Sequence, residues 1–403
     1  MSVQVSCVGL FLEPLDTLFF RDGRPMFIGG RGYTMLPTPQ TLSGAVRHAL
    51  LHQVGYDFAW ARERHQRFIQ QAVPPEDIRT NRQAWEDTLK RLWEEALKAG
   101  GAPDWIFSVS VRGPWFARVH ERIKGNAPQT AADVDVLVPV PALLYGEKKK
   151  SLQQGEKLRL ARPLPREVSV PGWRPHAEGM RPVWVISRED LEPVSGFVTL
   201  EGLGKLLRGG IPGRDHLVSA NQLYGQDPRV GVAINPDTLT GLESMLYTRN
   251  MLSLREKVGF YAEVILPSEG VSHLRRVQGL RWGGSTRAVT VHHLSSPVKW
   301  PHEQPRNGQK TFLALTTPGL FEQGWQPACL RGNLAGAVVP GQVAVSGWDL
   351  LRRGPKPVRF AASAGSVYFL ERVPETLPDL LSDRFKDCRQ GWGCYVQGVW
   401  NDV

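Results

Sequence analysis

Helix-like and strand-like periodicities are segregated along this chain. Apolar residues recur at helical spacing only in the early part: Leu42, Val46, Ala49 and Leu50, then Trp85, Leu89, Leu92, Trp93, Ala96 and Leu97. Pro37-Thr38-Pro39 introduces the first stretch, and Gly100-Gly101 stops the second. The wider region 57–99 reads as helix. After residue 229 the pattern is mostly β, with runs at 230–234, 258–266, 277–281, 287–291, 311–317, 364–371 and 394–400. These runs are rich in β-branched and aromatic residues and are bounded by Gly or Pro. A doubly wound sheet needs strand and helix in regular alternation, so this order predicts an α+β fold instead. At 403 residues the chain exceeds one ordinary core and suits two domains.

Shorter signals fill the gaps. Residues 3–11 alternate as a strand, 105–145 hold short β-like runs such as Val134, Val136, Val138 and Val140, and 197–209 read as a strand and short helix. Asp22-Gly23 marks a tight turn flanked by Arg21 and Arg24, and Gly29-Gly30-Arg31-Gly32 is a second flexible basic loop. Residues 146–182 lose periodicity and contain Lys148-Lys149-Lys150 and several prolines. They predict a mobile, basic, extended loop.

The charge is uneven. The chain carries +10, yet residues 148–188 alone hold +7 and residues 271–310 hold +6. The remainder is slightly acidic. A small-molecule enzyme has no use for such stretches, whereas a phosphate backbone or a membrane surface has. The start lacks the basic end of a signal peptide, and its apolar run is broken by Glu13 and Pro14. No run is long and apolar enough to span a membrane. Cys7, Cys329, Cys388 and Cys394 form neither a disulfide framework nor a CxxC pair. These features predict a cytoplasmic protein with reduced thiols and neither metal nor cofactor.

The strongest local feature runs from Arg275 to Arg287: Arg275-Arg276-Val277-Gln278-Gly279-Leu280-Arg281-Trp282-Gly283-Gly284-Ser285-Thr286-Arg287. Glycines admit a ligand close to the backbone, and their amides can face phosphate oxygens. Arginines supply forked donors for phosphate. Trp282 offers a face on which a base could stack. Arg276, Arg281, Trp282, Gly283, Gly284, Ser285 and Arg287 are therefore candidate RNA contacts, against the plainer alternative of a tight hairpin with solvated arginines. Lys205 and Arg208, among Gly202, Gly204, Gly209 and Gly210, form a second glycine-basic patch, more readily read as a capped short helix than as a phosphate site. No Walker or dinucleotide-binding motif occurs. His48 and His52 are a turn apart without the HExxH carboxylate, and His292-His293 follow a strand. A histidine there could act as the base of a metal-independent ribonuclease, or simply hydrogen-bond.

Six segments resemble a known family. The opening "GLFLEPLDTLFFRDGRP" with "LPTPQTLSGAVRHALL" resembles the start of RAMP superfamily proteins, and more specifically the third subunit of the Cmr effector complex of type III-B CRISPR systems. "DPRVGVAINPDTLTGLESMLYT", "GLRWGGSTR", "SGWDLLRRGPKPVRFAASAGSVYFLE" and "GWGCYVQGVW" fit the same family in order, from end to end.

The resemblance implies two ferredoxin-like, RRM-related domains. Residues 1–190 would form the first, with a helical insertion at 57–101 and the basic loop 146–182. Residues 191–403 would form the second, with the glycine-rich loop 279–287. It implies a non-catalytic subunit that holds the 5′ repeat-derived tag of the CRISPR RNA in antiviral defence. The partners implied are that RNA, the large polymerase/cyclase-like subunit, the backbone RAMP subunits and, indirectly, single-stranded target RNA, with no membrane. Arg21 and Arg24 would hold the tag or an adjoining subunit. The alternative is an endoribonuclease that processes the CRISPR RNA precursor, using His273, His292 or His293.

Overall fold

Strand β1 (Val5–Pro14) buries side chains of both parities, Leu10 and Leu12 on one face and Phe11 on the other. Such a strand must run inside a sheet covered on both sides. The computed structural model describes the chain except residues 1–3, 22–30, 33, 61–62, 64–81, 124–126, 148–156, 236, 285, 307–308, 350–353 and 402–403.

After β1 come helices α1 (Pro39–Gln53) and α2 (Arg82–Ala99), then strands β2 (Ser110–Val119), β3 (Val134–Pro139) and β4 (Phe197–Thr199). Helix α3 (Leu200–Leu207) and strand β5 (Leu217–Val218) lead into a long hairpin, β6 (Tyr224–Ile234) and β7 (Gly241–Leu254). Strand β8 (Val258–Pro267), helix α4 (Ser268–Arg275) and strands β9 (Gly279–Arg281) and β10 (Ala288–His293) follow. The last part holds β11 (Lys310–Leu315), β12 (Leu334–Val338), β13 (Val367–Leu370), helix α5 (Phe385–Gln390) and β14 (Tyr395–Trp400).

Eight strands make one sheet in the order β5-β4-β3-β2-β8-β1-β10-β9, and every neighbouring pair is antiparallel. A second sheet, β12-β13-β11-β14, is also antiparallel. The α+β expectation holds in this form: antiparallel sheets with few helices. The chain uses the order strand, helical segment, antiparallel hairpin twice, as β1-α1-α2-β2-β3 and as β8-α4-β9-β10. The two runs merge where β1 pairs with β8. A division between residues 190 and 191 would separate the hydrogen-bonded strands β3 and β4.

The layers follow from which face each side chain takes. Helix α1 lays Leu42, Val46 and Leu50, spaced four apart, against Leu10, Leu12, Phe260 and Val264 on one face of the large sheet. Each such burial stabilises by roughly 1.5–3 kcal/mol. On the opposite face, Phe11, Trp115 and Tyr261 meet α3 (Leu203, Leu206, Leu207) and the second sheet (Phe312, Phe369, Trp400). The far side of the second sheet closes a third cluster around Tyr368 and Leu313.

Two expectations change here. In the stretch 57–101, α2 is helix and buries Ala96 and Leu97, but most of the residues between Trp60 and Arg82 lie outside the described ones. The segment 146–182 is extended, as expected, but its described part is strapped down rather than loose. Leu158, Ala161 and Leu164 are buried, and short pairings join Arg162–Pro163 to Val183–Trp184. Arg181, buried and stacked over Trp400, donates to Glu371 (2.9 Å), as do Arg166 (2.8 Å) and Lys310 (3.0 Å). One carboxylate satisfying three cations holds the strap to the second sheet. Lys148–Lys150 lie outside the described residues.

Candidate nucleic-acid interface

The glycine-rich loop joins β9 to β10 at the edge of the large sheet. The Trp282 amide donates to the Arg287 carbonyl (2.8 Å) and closes it. Gly283 has φ +95°, the left-handed region that favours glycine, and a Cβ there would stand 2.8 Å from the Phe19 carbonyl oxygen. The Gly284 amide donates to that same oxygen (2.8 Å), and a Cβ on Gly284 would press on the Phe19 ring at 3.0 Å. The loop is glycine-rich because it packs onto residues 15–21. This corrects the expectation for Gly284, since its amide is spent on the fold and not turned to phosphate.

Trp282 is corrected more sharply. Its side chain is 1% exposed and lies edge-on to Phe20 (5.0 Å) and Phe260 (5.2 Å), inside the α1 face of the core. Its indole N–H donates to Thr41 Oγ1 at 3.3 Å. No face is open for a base. Trp282 is a buried peg that fixes the loop to the first turn of α1.

Arg287 is likewise committed. It pairs with Asp16, whose other oxygen lies 3.7 Å from Arg229, and Arg229 in turn donates to Asp227 (2.9 Å). The Thr17 amide, and behind it these guanidiniums, hold the Asp16 carboxyl below its usual range. The hairpin needs this neutralisation because Arg229 faces Arg249 across the β6–β7 ladder. Arg249 covers the Phe19 ring at 5.7 Å. Leu18 and Leu252 exchange amide bonds of 2.8 and 2.7 Å, so residues 15–21 tie the loop and the hairpin base into one unit.

The exposed cations are therefore fewer than the sequence offers. Arg281 projects from β9, Arg275 and Arg276 end α4, and Arg21 leaves the 15–21 segment, all solvent-exposed. Arg24 and Ser285 lie outside the described residues. Asp16, Phe19 and Arg229 were missed in the sequence; they reach the loop from positions distant in the chain, and no local pattern marks them.

The second patch separates from the first. Helix α3 packs in the other face of the large sheet, and its glycines serve packing and caps. The Gly202 amide donates to Thr199 Oγ1 (3.2 Å), a Cβ on Gly202 would meet His216 at 2.5 Å, and Gly209 and Gly210 close the helix end. Lys205 Nζ donates to His216 Nε2 at 2.7 Å, so the expected RNA role of Lys205 gives way to a structural one. Arg208 stays exposed on that layer.

The histidines weighed as catalytic bases have partners. His292 pairs with Glu13 (2.9 Å), and His293 Nε2–H donates to the Val277 carbonyl (2.8 Å). Burial keeps the His293 imidazole below the usual histidine range despite that carbonyl. His273 stacks on Trp105. Among the described residues no three His, Cys, Asp or Glu side chains group as metal ligands, and no helix is long and apolar enough to cross a membrane.

Residues 10–400 match the family model of a CRISPR-associated protein, Cas_Cmr3. No curated protein matches the chain. Among solved structures, the chain is similar to one in the type III-B Cmr-beta complex bound to cognate target RNA and AMPPnP, with 14% identity, TM-score 0.45, and 90% of this chain and 86% of that chain covered. It is also similar to one in a Csm1-Csm4 cassette in complex with cA4, with 13% identity, TM-score 0.34, and 98% and 96% covered.

Proposed function

Since the chain belongs to the CRISPR-associated Cas_Cmr3 family, we propose that it is an RNA-binding subunit of a type III CRISPR effector complex, the third subunit of the type III-B form. In this reading it is a RAMP protein whose two strand-helix-hairpin runs are its ferredoxin-like, RRM-related halves. It acts in the cytoplasm, holds the 5′ repeat-derived tag of the CRISPR RNA, and bridges the large polymerase/cyclase-like subunit to the backbone RAMP subunits. Target RNA meets it only through the guide. The subunit performs no reaction of its own.

One observation carries the reading beyond the family. The loop edge of the large sheet gathers Arg275, Arg276 and Arg281 with no acidic residue anywhere from 270 to 302. Exposed guanidiniums on a stretch that carries no carboxylate of its own suit a polyanion. Arg21, exposed at the end of the 15–21 segment, would add to this surface. If about six phosphates are neutralised, log affinity falls with log salt at a slope of roughly −4.

The test is ultraviolet crosslinking of the assembled complex, mapped to residues. Crosslinks at Arg21, Arg276 and Arg281 are expected; a protein free of RNA crosslinks would overturn the proposal. Incubating the pure chain with repeat RNA addresses catalysis. Products that vanish in a His292→Ala, His293→Ala variant would replace this reading with the processing endoribonuclease.

A further inference from the structure

Helix α1 has an outer face that the core does not use. His48 and His52 lie a turn apart on it, both exposed, and Gly44 a turn earlier opens onto free space. The edge strand β9 runs beside this helix, and its exposed Arg281 acts electrostatically on His48, as His52 does. The His48 ring stacks on Phe58 with centroids 4.6 Å apart, which fixes its plane. Helix α4, ending in the exposed Arg275 and Arg276, also packs against α1.

The two segments that carry these groups have no acid of their own. Residues 39–53 contain no Asp or Glu, and neither do residues 270–302. Asp57, beyond the end of α1, receives the amides of Ala59 and Trp60. Arg47 turns away from this face and donates to Ser43 Oγ (2.6 Å) and the Val109 carbonyl (2.7 Å). The charged groups that act on His48 are thus His52 on its own helix and Arg281 from the strand alongside.

We infer that His48, His52 and Arg281 form a second RNA contact, which takes phosphates of the strand passing the glycine-rich loop and tightens as His48 gains a proton. This rests on the reading of the chain as an RNA-binding subunit. A neutral imidazole N–H donates one hydrogen bond to a phosphate oxygen, and a protonated one adds charge; Arg281 supplies a permanent fork beside them. Without RNA, partial desolvation at the Phe58 ring side of an otherwise exposed imidazole, and then the neighbouring His52 and Arg281, hold His48 below the usual histidine range. A bound phosphate offsets the repulsion between these cations, so affinity rises as the pH falls from 8 to 6. Each added phosphate contact is worth about fourfold at 0.15 M salt.

The experiment measures dissociation constants of the full chain for a fluorescently labelled single-stranded RNA at pH 6 and pH 8, at constant ionic strength. The wild type should bind about four- to tenfold more tightly at pH 6. His48→Gln, His52→Gln should lose most of that gain, while His48→Arg, His52→Arg should bind tightly at both values. A control, His120→Gln, alters a histidine paired with Asp135 elsewhere and should keep the gain. If the Gln pair retains the full gain, or the Arg pair binds no better than wild type at pH 8, the inference is wrong while the RNA-binding reading stands. If the wild type binds RNA at neither pH, both fall. Thermal midpoints of all variants separate misfolding from lost contact, and the Arg pair reads the site even if the Gln pair is unstable.

Discussion

Trp282→Ala separates two roles that one residue cannot hold together. An indole buries about 150–250 Å², which at about 25 cal/mol per Å² corresponds to roughly 4–6 kcal/mol. Trp→Ala losses in cores run about 3–5 kcal/mol, and the edge contacts to Phe20 and Phe260 at 5.0 and 5.2 Å place Trp282 there. With an unfolding entropy of about 2.1 cal/mol/K per residue, the thermal midpoint should fall by roughly 4–6 °C. The loop should loosen with it, because the peg that joins Gly283 to α1 is gone. Trp282→Phe keeps a ring between Phe20 and Phe260 and loses the donor to Thr41, so it should cost about 1 kcal/mol. Differential scanning fluorimetry reads both variants, and RNA titration follows. A base-stacking tryptophan behaves otherwise: its removal costs about 1–3 kcal/mol of RNA affinity and leaves the midpoint unmoved. That pattern would refute the burial argument.

Gly283→Ala should destabilise by about 1–3 kcal/mol, since a Cβ must coexist with φ +95° and an oxygen 2.8 Å away; an unchanged midpoint would show that the loop relaxes freely. Asp16→Ala releases Arg287 and Arg229, so RNA affinity at 0.15 M salt should rise about two- to fourfold with less than about 1 kcal/mol lost in stability; weaker binding would mean that the pair positions the loop for RNA. Glu371→Gln should free the strap, seen as new limited-proteolysis cuts within 157–183. Burial pushes the Glu371 carboxyl up, but hydrogen bonds from Arg166 and Lys310 outweigh it and hold the carboxyl below the ordinary 4.5. A depressed acid stabilises above its unfolded value, so the strap should hold above pH 4.5 and loosen as the pH falls through the lower folded value; cleavage independent of pH in this range would contradict the pairing.

Periodicity and turn residues carried much of the fold into view. The strand at Val5–Pro14, α1, the strand and capped helix over 197–207, and late strands such as β8, β11 and β14 stand where apolar spacing put them, because each buries a face fixed by a short repeat, whereas β7 and β12 fall outside the expected runs. The family, too, was legible in ordered motifs along the whole chain. Residues that meet across long separations were not legible in this way. Trp282 looked like a stacking platform beside arginines, and only Phe20, Thr41 and Phe260 closing around it make it a core residue. Gly283 and Gly284 were visible as a need for close approach, but the object approached is Phe19, some 265 positions earlier in the chain. Arg287 and Arg281 are alike in sequence; Asp16 claims one, and the sheet edge leaves the other exposed. The sequence by itself determined much of the secondary structure, the charge and the kinship. The tertiary structure decided which arginines remain exposed for a phosphate, because pairing and burial depend on neighbours that the linear order keeps apart.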